Sequence, residues 1–356
     1  MRSRIHEAHL KLGAAMAEWD GWDLPAHYGD PQAEYRAARS AVVRTDRSHR
    51  TKLRVLGADR MKFLHNILTN EVKSLPPGSG TYTALLTATG KLVADFRASI
   101  LAESVLLDAE ARCRGTAFPH LDKLNLGYNC EIVDETEELG MVTLVGPKSG
   151  EAVRDLLGEA PRLPPGADRP YQCLEIDWNG IKTVAATTDR LGVAAIDLMV
   201  PVSSLALLWE ALPSVPPAGF STLEVLRLEA GVPRFGADMD ESVNPMEAGL
   251  RCAIDFDKGC YVGQEVVAKI DSLGHVNRNL VGLRIAADAA PETGAPILES
   301  GKKVGHVTSA AMSPALGEVV ALGYVHRRLS APGQPLETES GGKTLPAKVA
   351  ERPPAP

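Results

Sequence analysis

Apolar residues recur along this chain with two spacings, and each spacing predicts one kind of element. In some short stretches, such as 51–56, apolar and polar residues alternate, which is the period of a half-buried β-strand, and other strands are predicted from short apolar segments between turns. Elsewhere apolar residues recur every three or four positions, which is the period of an amphipathic helix. The predicted strands include 51–56, 82–87, 105–108, 141–145, 174–178, 181–185 and 192–201, and the predicted helices include 5–19, 34–43, 60–68, 116–125, 203–212, 223–230 and a short helix from residue 264.

Turn residues divide these elements. Asn179-Gly180 between two alternating segments predicts a β-hairpin with a type I′ turn, whereas 21–25 and the Pro-rich stretch 161–170 favour loops. From Arg278 the chain consists of short β-rich segments with Gly and Pro turns, which indicates a small barrel or sandwich. The pattern as a whole predicts an α+β protein, and 356 residues exceed the usual size of one hydrophobic core, so two or three domains are expected.

Composition then excludes several classes of protein. A formal net charge of −7 and an aromatic content of 5% argue against a nucleic-acid-binding or anionic-membrane-binding protein. No apolar segment is long enough to span a bilayer, and the N-terminus lacks the apolar core of a signal peptide. The five cysteines are an odd number without a C-x-x-C pair, which argues against a disulfide framework or a zinc site. We therefore expect a cytoplasmic protein with no metal site.

The stretch with the most distinctive chemistry is Lys258-Gly-Cys-Tyr-Val-Gly-Gln-Glu265. Cys260 lies two residues after Lys258 and just before the predicted helix, and both a cation and a helix N-terminus favour a reactive thiolate. A buried structural cysteine in a tight turn is the alternative. Cys113, between Arg112 and Arg114, is the one serious rival as a reactive cysteine.

This stretch resembles the signature of the YgfZ-type folate-binding proteins, a branch of the glycine-cleavage T-protein (aminomethyltransferase) family. Other blocks resemble the same family in order and spacing along nearly the whole chain. They are G-W-x-L-P-x-x-Y from residue 21, E-Y-R-A-A-R from 34, G-K-L-V-A-D from 90, R-L-E-A-G from 227, P-x-E-A-G-L from 245 and V-G-x-V-T-S from 304.

The resemblance implies a three-domain ring around a channel that holds tetrahydrofolate. It implies a first domain of two segments, 1–50 and 139–230, and a ferredoxin-like second domain, 51–138 and 231–276. Residues 277–356 would form the C-terminal β-barrel. The implied folate-binding residues are Tyr82, Asp95, Arg227, Glu229, Lys258 and Tyr261, and the implied catalytic residues are Cys260 and Asp95.

Two departures from the enzyme pattern bear on activity. The T-protein enzymes resemble one another in a pattern G-[IV]-x-D-D-L, which contains two adjacent Asp residues. At the similar position this chain has Ala94 before Asp95, so one carboxylate of that Asp doublet is absent. A pterin-binding Glu of the enzyme falls at Val193. A general acid–base group contributes about 10²–10⁴-fold in rate, which the missing carboxylate at Ala94 would cost. Valine accepts no hydrogen bond from a pterin, so both departures favour an accessory protein over an enzyme.

We therefore expect a tetrahydrofolate-binding accessory protein that supports iron–sulfur cluster assembly or repair in client enzymes, with Cys260 as its functional thiol. One thiol cannot hold a cluster alone, so contact with a cluster would be shared with client or assembly proteins. The alternative is a tetrahydrofolate-dependent aminomethyltransferase in which Asp95 orients the amine and the folate. A folate-binding scaffold without chemistry is the third possibility.

Overall fold

The structure, a computed structural model, describes residues 1–158, 171–274 and 276–350. Within these ranges the chain forms two five-stranded antiparallel sheets, a two-stranded hairpin and a closed six-stranded barrel. The predicted α+β fold with a C-terminal β-barrel is confirmed. The predicted Pro-rich loop 161–170 lies outside the described residues.

The first sheet combines one strand from the N-terminal part of the chain with four strands from its middle, in the order β10-β11-β12-β9-β3. The predicted Asn179-Gly180 turn is confirmed, because both residues have positive φ angles, 53° and 81°, between two paired strands. The strands are β3 (Val43–Asp46), β9 (Leu139–Val145), β10 (Cys173–Trp178), β11 (Ile181–Thr188) and β12 (Ala195–Pro201).

The second sheet is inserted between β3 and β9 of the first and has the order β5-β6-β7-β4-β8. Its apolar face forms the largest core cluster, which extends to residues of the barrel such as Leu322 and Tyr324. Its strands are β4 (Thr51–Leu56), β5 (Gly80–Leu86), β6 (Leu92–Ile100), β7 (Ser104–Ala109) and β8 (Glu131–Asp134).

The barrel has its own apolar interior and closes in the order β13-β16-β15-β14-β17-β18. Closure pairs both edges of the sheet, so every barrel strand has two neighbours. The strands are β13 (Arg278–Ile285), β14 (Pro296–Glu299), β15 (Lys302–Ser313), β16 (Glu318–His326), β17 (Pro335–Ser340) and β18 (Lys343–Ala350).

Helices cover the sheets and connect them to the barrel. Within the described residues, none of them is long and apolar enough to cross a membrane. The helices are α1 (His6–Lys11), α2 (Pro31–Ser40), α3 (Arg60–Ile67), α4 (Arg114–Leu124), α5 (Ser149–Leu157), α6 (Leu205–Glu210), α7 (Phe220–Glu229) and α8 (Gln264–Leu273).

The N-terminal segment differs from the prediction. The helix predicted over 5–19 ends at Lys11, and the chain then forms the hairpin strands β1 (Ala15–Trp19) and β2 (Trp22–His27). Gly13 has a φ of 78°, and the turn residues Asp20 and Gly21 have φ angles of 49° and 80°. The helical prediction was wrong because an Asp-Gly hairpin turn takes precedence over the apolar spacing that precedes it.

A buried ionic joint links the two five-stranded sheets. Arg50, between β3 and β4, donates two hydrogen bonds to the Asp108 carboxylate, at 2.6 and 3.0 Å. Arg190 bridges Asp108 of the second sheet, at 3.0 Å, to Asp197 of the first. Glu110 accepts a further hydrogen bond from Arg50. Since each of these residues is buried, breaking one pair leaves a buried charge uncompensated.

The loop before α8 is fixed by two close contacts. The Lys258 ammonium donates to the carbonyl oxygens of His65, Leu68 and Asn70 at 2.6–2.9 Å, and so closes the C-terminal end of α3. Gly263 has a φ of 84° and lies against the turn between β5 and β6, where a Cβ atom would come within 2.6 Å of the Thr87 carbonyl oxygen. The loop is therefore held at both ends, while Cys260 between them is exposed.

The ionic joint predicts acid sensitivity. Burial alone would raise the pKa of Asp108, but the charges of Arg190 and Arg50 outweigh burial and lower this pKa to about 2. Because an unfolded Asp has a pKa of about 4, the stabilisation is complete above about pH 4 and is lost as the pH falls through about 2. We expect the free energy of unfolding to fall steeply across that window, as measured by urea unfolding at a series of pH values.

Asp108→Asn should lower the free energy of unfolding at neutral pH by about 3–5 kcal/mol, since Arg50 and Arg190 would share one fewer carboxylate to compensate their buried charges. Glu299→Gln is the matched control, because it breaks a surface pair with Arg328 and should cost less than about 1 kcal/mol. Equal losses in the two variants would contradict the role of the joint.

Gly263→Ala should lower the free energy of unfolding, because a left-handed backbone costs an L-residue about 1–2 kcal/mol. The contact with the Thr87 carbonyl oxygen adds to that cost. Gly259→Ala is the control in the same loop. Its Cβ would meet no atom within 4 Å, so the change should stay within about 0.5 kcal/mol. Thermal unfolding of both variants measures the difference, and similar melting temperatures would refute the close packing at Gly263.

Candidate functional site

A small cavity lies beside the ionic joint, where both five-stranded sheets meet α7. Its volume is about 20 Å³, enough for about one water molecule. Three acidic, five basic and several apolar side chains line it. They are Arg47, Asp95, Arg97, Glu110, Arg190, Leu191, Phe220, Leu223, Glu224, Arg227, Val232, Pro233 and Arg234.

Asp95 is the most distinctive group of this cavity. Its Oδ2 atom accepts a hydrogen bond of 2.9 Å from the Tyr82 hydroxyl, and its Oδ1 atom is buried with no hydrogen-bond partner among the described residues. Burial raises the pKa of Asp95, although the Arg97 charge opposes that rise. A carboxylate oxygen left open in a buried cavity is poised to accept an N–H group of a ligand.

The alternation of β6 explains why Asp95 faces the cavity and Ala94 does not. Asp95 and Arg97 are two positions apart and both line the cavity. Ala94 lies between them, fully buried in the apolar core of the second sheet. The one carboxylate that this chain retains from the doublet is therefore the one on the cavity side.

Arg97 fills space next to Asp95. Its guanidinium lies 4.8 Å from the centre of the Tyr82 ring, 3.5 Å from Asp189 and 4.0 Å from Asp95. Tyr171 stacks on the Tyr82 ring, with 6.5 Å between the ring centroids, and donates a hydrogen bond to Asp189. These contacts hold Arg97 over Tyr82 and close this side of the cavity.

Phe220, another lining residue, lies near two guanidinium groups. Arg47 is 5.6 Å and Arg234 is 5.5 Å from the centre of its ring. The Nε atom of Arg47 is buried without a hydrogen-bond partner among the described residues, and burial lowers the pKa of Arg47 to about 9, with Arg50 contributing. The cavity thus offers an open donor on Arg47 as well as an open acceptor on Asp95.

Arg227 completes the wall formed by α7. Its guanidinium pairs with Glu224 at 2.6 Å and with Asp238 at 2.7 Å, and it donates to Ser309 of the barrel at 2.9 Å. Arg227 therefore connects the cavity to the barrel. Among the implied folate-binding residues, Asp95 and Arg227 line the cavity, and Tyr82 supports Asp95.

The remaining implied site residues lie elsewhere. Glu229 accepts hydrogen bonds from Tyr35 at 2.8 Å and from Ser313 at 2.6 Å, and so joins α2, α7 and the barrel. The Lys258 ammonium is taken up by three carbonyl groups, and burial lowers its pKa to about 8. Tyr261 packs 5.4 Å from that ammonium. None of these three residues lines the cavity, and Cys260 does not line it either.

The cysteines differ sharply in exposure. Cys260 is exposed, whereas Cys113 and Cys173 are buried. Burial raises the pKa of the Cys113 thiol well above its usual range and that of Cys173 to about 11. The neighbouring arginines in the sequence therefore do not make Cys113 a reactive thiolate. Among the described residues, no group of three or more His, Cys, Asp or Glu side chains is placed to hold a metal ion.

Sequence reasoning missed most of the arginines and carboxylates around the cavity. A usable signal was present, since charged residues occur two positions apart inside otherwise apolar strands. Asp95 and Arg97 on β6, and Asp108 with Glu110 at the end of β7, show this spacing. Charges at alternate positions of a buried strand share one face, and that face must meet other charges.

Comparisons with known proteins agree over almost the whole chain. Residues 5–258 match the model of the GCVT N-terminal domain, and residues 278–355 match the glycine cleavage T-protein C-terminal barrel domain. An aminomethyltransferase of Symbiobacterium thermophilum is 30% identical over 365 residues, covering 99% of this chain and 96% of the relative. One of Thermotoga neapolitana is 30% identical over 359 residues, covering 99% and 97%.

A solved structure extends the agreement to the fold. The glycine cleavage system aminomethyltransferase T from Bartonella henselae superimposes with a TM-score of 0.90 at 25% identity, covering 99% of this chain and 97% of that one. Both the two-sheet body and the barrel are therefore shared with that protein. Because the two family models together match residues 5–258 and 278–355, the chain belongs to the glycine cleavage T-protein family.

Proposed function

We propose that the chain is a tetrahydrofolate-dependent aminomethyltransferase-type enzyme whose folate ring binds at the Asp95 cavity. The observation that carries this proposal is the open, buried Oδ1 atom of Asp95. Relatives named aminomethyltransferase support it over the whole chain length. The YgfZ-type assignment, in contrast, depends on the resemblance of residues 258–265 and of the block from residue 90 to that branch, and on the departures at Ala94 and Val193.

The polar groups of the cavity fit a pteridine ring. Such a ring presents N–H donors beside a carbonyl acceptor, which match the open Asp95 oxygen and the open Arg47 Nε–H group. The space of about 20 Å³ holds only a water molecule, so the ring must displace side chains to enter. Arg97 is the group to move, because its guanidinium lies against Asp95 and Tyr82.

Asp95 is proposed to act as a general base at the nitrogen that takes part in the transfer. A general base works best when its pKa approaches the working pH, and burial raises the pKa of Asp95 in that direction. The Tyr82 hydroxyl fixes the orientation of the carboxylate, which leaves Oδ1 directed to the substrate. Ala94 removes no cavity group, and Val193 packs against the apolar cluster of β2 and α7, so neither departure empties the site.

Asp95→Asn should lower kcat/KM for aminomethyl transfer to tetrahydrofolate by about 10²–10⁴-fold, because the amide accepts no proton at neutral pH. The assay supplies an aminomethyl-lipoyl carrier and tetrahydrofolate. Tetrahydrofolate should also raise the melting temperature of the native protein, since a ligand that binds only the folded state stabilises it.

Asp257→Asn is the matched control, since Asp257 is exposed and outside the cavity. It should leave both the rate and the ligand-induced shift unchanged. Full activity of Asp95→Asn would exclude the proposed role of Asp95. A native protein with neither transfer activity nor a melting shift at millimolar tetrahydrofolate would exclude the function.

A second candidate function follows from the exposure of Cys260. Its loop is fixed at Lys258 and Gly263, yet the thiol between them is open to solvent. This arrangement favours contact with another protein, as expected for an accessory protein that supports iron–sulfur enzymes. Folate would still bind at Asp95, and the thiol would act outside the cavity.

Cys260→Ser should leave the melting temperature and tetrahydrofolate binding unchanged, because the side chain is exposed and lies outside the cavity. If the second function holds, the variant fails to restore iron–sulfur enzyme activities in a strain lacking its YgfZ-type protein, while Cys130→Ser restores them. Restoration by both variants would contradict a functional thiol at Cys260, and the transferase would remain the one proposed function.

A further inference from the structure

A cleft of about 710 Å³ lies between the C-terminal end of α8 and the end of the barrel strand β16. It is separate from the Asp95 cavity and shares no lining residue with it. Its volume falls within the range of about 300–1,000 Å³ typical of small-molecule sites. Its lining includes Arg251, Arg327, Arg328, His326, Ile270 and Val276.

The charges of the cleft are mostly positive. Three arginines line the cleft beside one carboxylate, that of Asp271, in a chain whose formal net charge is −7. Asp271 pairs with Arg251 at 2.6 Å, and Glu299 pairs with Arg328 at 2.9 Å from outside the lining. The Arg327 guanidinium forms no ion pair within the described parts of the chain, so its charge remains available to a ligand.

Neighbouring side chains position the Arg251 and Arg328 guanidinium groups, and backbone contacts position the main chain at Arg327. The amide of Arg327 donates to the Asn277 carbonyl at 3.0 Å and begins a 3₁₀ turn that ends at Leu329, which is buried. The Arg251 guanidinium stacks 4.2 Å from the centre of the Phe256 ring. Guanidinium groups bind carboxylate or phosphate oxygens through paired N–H donors.

We infer that this cleft binds a small polyanion that carries two or more carboxylate or phosphate groups on a compact skeleton. Arg327 supplies the uncompensated charge, while Arg251 and Arg328 exchange part of their present pairing for the ligand. Ile270 and Val276 contact the carbon part. This site depends on none of the groups proposed to bind folate.

Isothermal titration of the full chain with citrate and, separately, with pyrophosphate tests the site. Arg327→Gln should weaken binding by about tenfold or more, as expected for loss of a charge-assisted hydrogen bond. Arg36→Gln, on the exposed face of α2, removes the same charge outside the cleft and should change the Kd less than twofold. Circular dichroism confirms that both variants remain folded.

The two ligands distinguish the chemistry. Tighter binding of citrate indicates a carboxylate metabolite, and tighter binding of pyrophosphate indicates a phosphate compound; either supports the site if Arg327→Gln weakens it. Equal weakening in Arg36→Gln and Arg327→Gln would show non-specific charge attraction and overturn the inference. Absence of binding by both ligands at millimolar concentration would also overturn it.

Discussion

The contact between the two five-stranded sheets determines what this molecule can do. Arg190 reaches Asp108 on one sheet and Asp197 on the other, and Arg50 grips Asp108 from the connection between β3 and β4. A small apolar cluster also lies at this interface. Buried ion pairs contribute less net stability than apolar packing of equal volume, but they fix the relative position of the sheets through the directions of their hydrogen bonds.

That ionic contact also sets the properties of the neighbouring cavity. Asp108 and Glu110 take up the charges of Arg50 and Arg190, and their own pKa values fall well below the usual range despite burial. Asp95, one strand away, lies 4.0 Å from Arg97, and burial outweighs that charge and raises the pKa of Asp95. Two kinds of carboxylate thus coexist within one charged region, one committed to structure and one free to take a proton.

Local signals in the sequence predicted most elements but not the cavity. The Asn179-Gly180 hairpin and the helix from Gln264 follow from turn chemistry and apolar spacing over a few residues. The joint between the sheets could not be predicted in this way, because Arg50, Asp108 and Asp197 are far apart in sequence and meet only after both sheets form. The hairpin at Asp20-Gly21 was not predicted for a different reason, since the apolar spacing before it also fits a helix.

The site assignment illustrates why a motif and a site need not coincide. Lys258 and Gly263 in the motif of residues 258–265 make structural contacts, one with the carbonyls that end α3 and one with the turn between β5 and β6. That turn leads directly into β6, which carries Asp95 into the cavity. The motif can therefore be required for the Asp95 site without touching a ligand there, because it fixes the start of the strand on which the carboxylate lies. Cys260 takes no part in these two contacts, since neither involves its side chain.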